Sequence, residues 1–354
     1  MKITDINTSS PYKAVTGSGL LKECGELIKK YTKIAGHAEK AAVITDDAVG
    51  PLYADIVEAS LKEAGFDTAV YTLPNGEASK NIQSYAKVLG FLAESQITRS
   101  DFIVALGGGV IGDLSGFAAA TFLRGIDFVQ IPTTLLAAVD SSVGGKTGID
   151  LDAGKNLAGA FYQPKLVICD MNCFDTLSDA VFTEGCAEII KYGVLGDEEL
   201  FKHLEKHGRD FDKEYVITRC IEMKRDIVCE DEFDTGLRQL LNLGHTLGHA
   251  VEKLSNFGMY HGMAVSVGMA VVVRASAAGH ICSAETAERI VKLLKSFGLP
   301  TECEYGIDKL YELMQSDKKR RGKEIALVVP KAIADCEIVK MPLADMKSFM
   351  EKGI

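Results

Sequence analysis

The residues best suited to chemistry lie between Arg238 and His261. The chain there reads RQLLNLGHTLGHAVEKL, then a short break, then Tyr260-His261-Gly262. Taken as a helix over 238–253, it brings Arg238, Asn242, His245 and His249 onto one stripe, at i, i+4, i+7 and i+11. Leu240, Leu243, Leu247 and Val251 fill the other faces, so a largely buried helix is expected. Buried Arg, Asn and His are costly unless each finds a partner, and a metal, an anionic substrate or a carboxylate would serve. His261 is expected in a glycine-flanked turn. A single histidine here would be read as a satisfied core residue. Three of the chain's seven histidines in one stretch favour a metal or catalytic site. A catalytic metal needs three protein ligands and an open position, and histidines with a carboxylate from elsewhere would suit Zn²⁺ or a similar ion.

Glu188 is a candidate for that carboxylate. A helix over Asp179–Val194 puts Glu184, Glu188 and Lys191 on one face, and Ile189 and Ile190 make the neighbourhood apolar. The alternative is an ordinary surface pair between Glu188 and Lys191.

A second group of residues points to a nucleotide. Gly107, Gly109 and Gly112 fit G-x-G-x-x-G between an expected strand, Phe102–Leu106, and an expected helix, Val110–Thr121. Such glycines let backbone approach a pyrophosphate at a helix N-terminus. The motif follows a late strand rather than the first, and Asp127 meets the usual acidic position only loosely. Glu77 and Lys80 could hold ribose hydroxyls, or form a solvated i,i+3 pair. Gly145-Lys146-Thr147 is not a P-loop, because Asp140 stands where the first glycine must be. Lys146, Lys155 and Asn156 are left in a polar glycine-rich stretch suited to phosphate or cofactor oxygens.

Two domains are expected in 354 residues. Alternating strands and helices run to Leu166–Asp170, which implies a parallel, doubly wound sheet over residues 1–176. Helices dominate residues 177–354, with a late hairpin near Glu324–Val329 and Ala334–Val339. A net charge of −10 argues against nucleic acid and anionic membrane as partners. Met263–Ala278 comes nearest to a membrane span but is short and carries Arg274. Nine cysteines without C-x-x-C spacing, and no apolar leader, lead us to expect reduced thiols and a cytoplasmic location.

Eight runs carry a resemblance: NGEASK (Asn75–Lys80), LGGGVIGD (Leu106–Asp113), TFLRG (Thr121–Gly125), QIPTTLLAAVDSSVGGK (Gln130–Lys146), GKNLAG (Gly154–Gly159), EGCAEIIKYG (Glu184–Gly193), NLGHTLGHA (Asn242–Ala250) and YHG (Tyr260–Gly262). In these runs the chain resembles the 3-dehydroquinate synthase family of sugar-phosphate cyclases. The resemblance implies a Rossmann-like NAD-binding α/β domain followed by an all-α metal-binding domain. It implies Glu188, His245 and His261 as ligands of Zn²⁺ or Co²⁺, with His249 in the site but not a ligand. Lys146, Lys191, Lys224, Arg238, Asn242, Asp140 and Lys318 or Lys319 match substrate-site positions. Arg124 matches a residue that reaches the phosphate from a neighbouring subunit, hence an expected homodimer. Asp46, Asn75, Gly76, Glu77, Lys80, Gly107, Gly108, Gly109, Gly112, Asp113, Thr133, Thr134, Lys146, Lys155, Asn156, Cys173 and Thr176 match NAD⁺ contacts.

The implied substrate is a phosphorylated sugar acid. It would be oxidised transiently by NAD⁺, would lose phosphate by β-elimination, be reduced again and close by an aldol step. A sibling cyclase would keep both cofactor sites but would not need Arg238 and Lys224 for a carboxylate. A metal-dependent polyol dehydrogenase would not need the phosphate-binding lysines. A non-catalytic nucleotide or metal sensor would release no phosphate.

Overall fold

The computed structural model describes residues 1–256, 258–318 and 324–354. The chain divides into two compact units. One holds Met1–Leu177 with Lys224–Phe233, and the other holds Ser178–Met223 with Asp234–Ile354.

In the first unit the elements follow as β1 (Lys2–Ile6), β2 (Tyr12–Gly17), α1 (Cys24–Tyr31), β3 (Lys40–Asp46), α2 (Gly50–Glu63), β4 (Asp67–Leu73), α3 (Ile82–Glu94), β5 (Phe102–Gly107), α4 (Gly109–Thr121), β6 (Asp127–Pro132), β7 (Lys146–Leu151), β8 (Gly154–Phe161) and β9 (Leu166–Asp170). Seven of these strands form one sheet in the order β1-β2-β9-β6-β5-β3-β4. Every pairing in it is parallel except β1 with β2. All residues of β5 are buried, as a strand covered by helices on both faces requires.

The strand order explains why the glycine motif comes late. The chain steps from β3 out to β4, then returns to place β5 on the other side of β3 and runs on to β6. The direction reverses between β3 and β5, where doubly wound sheets bind ligands beyond their carboxyl ends. Gly107–Gly109 and Asp46-Asp47 lie at those two ends. Asp127 does not, because its register partner is Phe102, at the opposite end of β5 from Gly107. Its carboxylate instead meets Lys165 at 3.5 Å.

Two features of this unit differ from expectation. β1 forms an antiparallel edge that the sequence reading did not include. The stretch around Lys146 and Asn156 is not an open loop but the antiparallel hairpin β7–β8. Gly148 and Gly159 make the hairpin possible, since a Cβ on Gly159 would lie 2.1 Å from the Thr147 carbonyl oxygen.

The second unit continues with α5 (Asp179–Gly196), α6 (Glu198–His207), α7 (Lys213–Glu230, whose end from Lys224 onward belongs to the first unit), α8 (His245–Leu254), α9 (His261–Ala278), α10 (Ala284–Ser296), α11 (Ile307–Lys318), the hairpin β10 (Glu324–Ala332) and β11 (Asp335–Pro342), and α12 (Leu343–Glu351). Helix α9 is long and apolar enough to cross a membrane, but most of it is buried among α5, α8 and α10.

The helix expected over 238–253 is broken. Leu237–Asn242 is a 3-10 turn, Gly244 takes φ 81°, and α8 starts at His245. The cause is close packing on α9. A Cβ at Gly244 would lie 2.6 Å from the Val265 carbonyl oxygen, and one at Gly268 would lie 1.9 Å from that of Gly244. Arg238 and Asn242 therefore do not share a helical stripe with the histidines, and Asn242 and His249 are exposed rather than buried.

Candidate active site

Three helices bring Glu188, His245 and His261 together. Glu188 sits mid-way along α5 and is fully buried. His245 and His261 are the first residues of α8 and α9. Small residues set the spacing: a Cβ at Gly262 would fall 1.9 Å from the Glu184 carbonyl oxygen on α5, and one at Gly248 would fall 3.1 Å from backbone of α9. Nε2 of His245 and of His261 lie 3.5 and 3.6 Å from Glu188 Oε1. Tetrahedral ligands about 2.0–2.1 Å from Zn²⁺ stand about 3.3–3.4 Å apart, so the donor set fits such an ion.

The far side of each ring is held as well. His245 Nδ1 is 3.1 Å from the Leu243 carbonyl oxygen, and His261 Nδ1 is 3.3 Å from Glu252 Oε2. Both partners only accept, so both rings carry a proton on Nδ1; in His245 this leaves the Nε2 lone pair facing Glu188, whereas His261 faces a carboxylate from each ring nitrogen. Burial, helped by the nearby Lys191 ammonium, holds the His245 imidazole down at about 3, so it stays neutral. Burial acts in the same direction on His261, but the Glu188 and Glu252 carboxylates outweigh it and hold that ring up at about 10. The carboxylates thus call for positive charge at this point, which a divalent cation would supply. Burial pushes Glu184, one turn before Glu188, up to about 7.

The polar residues of the second unit are unevenly placed. Lys191 is buried and paired with Glu188, so the surface-pair alternative does not hold. Arg238 is 2% exposed. His249 lies one turn beyond His245, with ring centroids 5.5 Å apart. Glu252, on the same α8 face, is buried and was not anticipated; its spacing, seven residues after His245, was the available signal. Lys318 ends α11 but its side chain, like the whole of Lys319, lies outside the described residues.

In the first unit the glycine turn is built for close approach. A Cβ at Gly107 would strike Ile111 at 2.7 Å, one at Gly108 would lie 3.0 Å from Thr134 Cγ2, and one at Gly112 would lie 2.8 Å from Gln130 Oε1. The Thr133 amide donates to the Gly107 carbonyl at 3.0 Å, while its buried hydroxyl has no protein partner. Half-buried backbone at a helix start, beside an unsatisfied hydroxyl, fits a dinucleotide. Asp46 is buried and accepts from the Ala48 and Val49 amides at 3.0 and 2.9 Å. Asp47 accepts from the Asn75 amide at 2.8 Å, and Gly76 has φ 101°, so the loops after β3 and β4 are tied together.

Lys80 and Glu77 are not a solvated pair. Lys80 is buried and reaches Asp113 and Asn156 at 2.6 Å each, while Glu77 faces Lys155 at 3.5 Å. Burial works against the Lys80 ammonium, but Asp113, Glu77 and Asp150 outweigh it and keep it charged. Lys224 meets the Asp140 carboxylate at 2.7 Å. Lys146 opens β7 and is exposed. The Thr176 hydroxyl is 2.6 Å from that of Tyr53, and the buried Cys173 lends Thr176 its carbonyl; burial pushes the Cys173 thiol up to about 12. Arg124 is exposed in a turn where both it and Leu123 have positive φ, 71° and 50°.

Residues 70–184 match the family model described as 3-dehydroquinate synthase N-terminal, and residues 185–320 match 3-dehydroquinate synthase C-terminal. Among curated proteins, the chain is 41% identical over 358 residues to the 3-dehydroquinate synthase of Streptococcus suis, covering 99% of this chain and 100% of that one. It is 44% identical over 352 residues to that of Pelobacter propionicus, covering 96% of each. Among solved structures, 2-deoxy-scyllo-inosose synthase complexed with carbaglucose-6-phosphate, NAD⁺ and Co²⁺ superposes with a TM-score of 0.88 at 21% identity over 100% of both chains. The 2-epi-5-epi-valiolone synthase of Streptomyces hygroscopicus subsp. jinggangensis, with NAD⁺ and Zn²⁺ bound, gives 0.86 at 23% identity over 99% of this chain and 98% of that one.

Proposed function

This chain belongs to the 3-dehydroquinate synthase family, and we propose that it converts 3-deoxy-D-arabino-heptulosonate 7-phosphate to 3-dehydroquinate and phosphate. The observation that carries this reading is the convergence of Glu188, His245 and His261 in a chain that both family models match. These three residues would hold Zn²⁺ or Co²⁺. The Gly107–Gly109 turn, with Thr133, Thr134 and the Asp46 and Asn75 loops, would hold NAD⁺, assisted by Glu77, Lys80, Asp113, Lys155, Asn156 and Thr176. When bound, NAD⁺ supplies a transient oxidation at carbon 5 of the substrate and its reversal, and the metal supplies Lewis acidity at that oxygen.

The remaining work falls to the protein's charges. The substrate carries a carboxylate and a phosphate into a chain of net charge −10, so cations must be concentrated locally. Arg238 would clamp the carboxylate through two parallel N–H bonds. Asn242 would bond a hydroxyl. Lys146 and Lys224 would meet anionic oxygens, the latter oriented by Asp140. His249 stands beside the metal ligands without joining them, where it would stabilise charge as the substrate's own phosphate takes the carbon-6 proton and departs. Lys191 would balance Glu188. We further read the enzyme as a cytoplasmic homodimer in which Arg124 reaches the partner's substrate phosphate.

The test is phosphate release by metal-loaded enzyme at limiting NAD⁺, with absorbance followed at the NADH band. Many phosphates per NAD⁺, without accumulated NADH, are expected. NADH formed from simple polyols without phosphate release would refute the reading.

A further inference from the structure

Resting on the metal-site reading above, we propose that Glu252 is a positioning residue for the metal: it fixes the tautomer and orientation of His261. His261 is the most exposed of the three converging residues, its side chain being 31% accessible against 11% for His245 and 0% for Glu188. As the first residue of α9 it lacks a preceding helical turn to brace its ring. Its orientation must come from a contact, and Glu252 Oε2, 3.3 Å from Nδ1, supplies it.

Glu252 is suited to the task. Its side chain is 3% accessible, and it stands on α8 with His245 and His249, at i+7 and i+3 from them. One packed helix therefore carries one ligand and the group that aims another. A carboxylate accepts only, so Nδ1 keeps its proton and Nε2 is left to the ion.

The same geometry decides against a second cation. His249, Glu252 and His261 also bring donor atoms within 4.8 Å of one another. An ion held there through Nδ1 of His261, the nitrogen 3.3 Å from Glu252 Oε2, would have to displace the proton that this carboxylate accepts. Two ions sharing the ring would require a fully deprotonated imidazolate.

The two histidines are held differently. The acceptor behind His245 is a neutral carbonyl, and the one behind His261 is a carboxylate. Glu252 thus adds a negative charge outside the ligand set and makes His261 the more basic ligand. Loss of such a partner typically weakens metal binding about 10–100-fold.

The experiment measures Zn²⁺ affinity by competition with a chromophoric chelator, for the full-length protein and for Glu252→Gln and Glu252→Ala. Long-range ¹⁵N–¹H correlations of His261 are recorded on the Zn²⁺-loaded forms. The native protein is expected to bind one Zn²⁺ and show His261 protonated on Nδ1 alone. Glu252→Ala is expected to bind about 10–100-fold more weakly, with a changed Nδ1 resonance. Glu252→Gln, which keeps an acceptor without the charge, is expected to fall between; if the alanine variant does not fold, it carries the test. Variants that bind within twofold of native, with an unchanged His261 spectrum, would overturn the role of Glu252 alone. A native protein that binds no Zn²⁺ would overturn the metal site and this inference together. Two Zn²⁺ per native chain would also overturn it, since Glu252 would then be a ligand.

Discussion

Replacing Gly262 by alanine tests whether helix spacing, rather than ligand identity alone, makes the proposed metal site. The new Cβ would lie 1.9 Å from the Glu184 carbonyl oxygen and 2.9 Å from Glu184 Cα, against 3.4 Å for an ordinary contact. The obstruction is backbone and cannot rotate away, so α9 must move from α5 by about 1.5 Å at that point; overpacking of this kind costs about 1–3 kcal/mol or more. The movement falls at the site itself, because Gly262 adjoins His261 and Glu184 lies one turn before Glu188. Metal sites tolerate displacements of only about 0.2 Å. Gly262→Ala should therefore lower Zn²⁺ affinity by at least about 100-fold, beyond what loss of an outer partner costs. It should lower the melting temperature by several degrees, at about 2–4 °C per kcal/mol. Gly90→Ala is the control. Gly90 is exposed within α3 with nothing within 4 Å of its added Cβ, so the same change should stabilise by about 0.5–1 kcal/mol. Metal titration and thermal melts of both variants decide the matter. A Gly262→Ala protein that binds Zn²⁺ and melts like native would refute the argument.

Three other predictions concern single side chains. His245→Ala should lose metal and turnover together, whereas His249→Ala should keep one metal per chain and lose turnover by about 10²–10⁴-fold; metal analysis beside activity separates them. Arg124→Ala should raise KM for the phosphorylated substrate without changing the molar mass measured by light scattering, and full activity would remove its assigned role. For Asp101, burial pushes the carboxyl up, but hydrogen bonds from Thr98, Lys40 and Glu39 outweigh it and hold it below the ordinary 3.8. A depressed value contributes stability above the unfolded pKa and loses it as pH falls through the folded one. Asp101→Asn should destabilise by about 1.5–3 kcal/mol at neutral pH, with the gap closing below about pH 3.8; a gap constant from pH 7 to 2.5 would contradict this.

Much of this protein is written in local patterns. The β-α alternation through Asp170, the shift to helices after Thr176, the glycine turn at Gly107–Gly109 and the candidate ligands Glu188, His245 and His261 all follow from periodicity, residue type or family motifs, which short stretches of chain carry by themselves. What depends on distant chain does not. The late glycine motif looked misplaced until the sheet order put β5 beside β3, because strand order is set by packing rather than by sequence distance. Helical periodicity ran straight through Gly244, where only the approach of α9 reveals that the backbone must turn. Lys80 reads as a surface charge from its neighbours, yet Asp113 and Asn156, far along the chain, bury and pair it. Glu252 carries a signal in its spacing from His245 but was not anticipated, because its partner His261 begins another helix. Side-chain types and their local spacing are one-dimensional facts; which of them meet is decided by helices packed glycine to backbone.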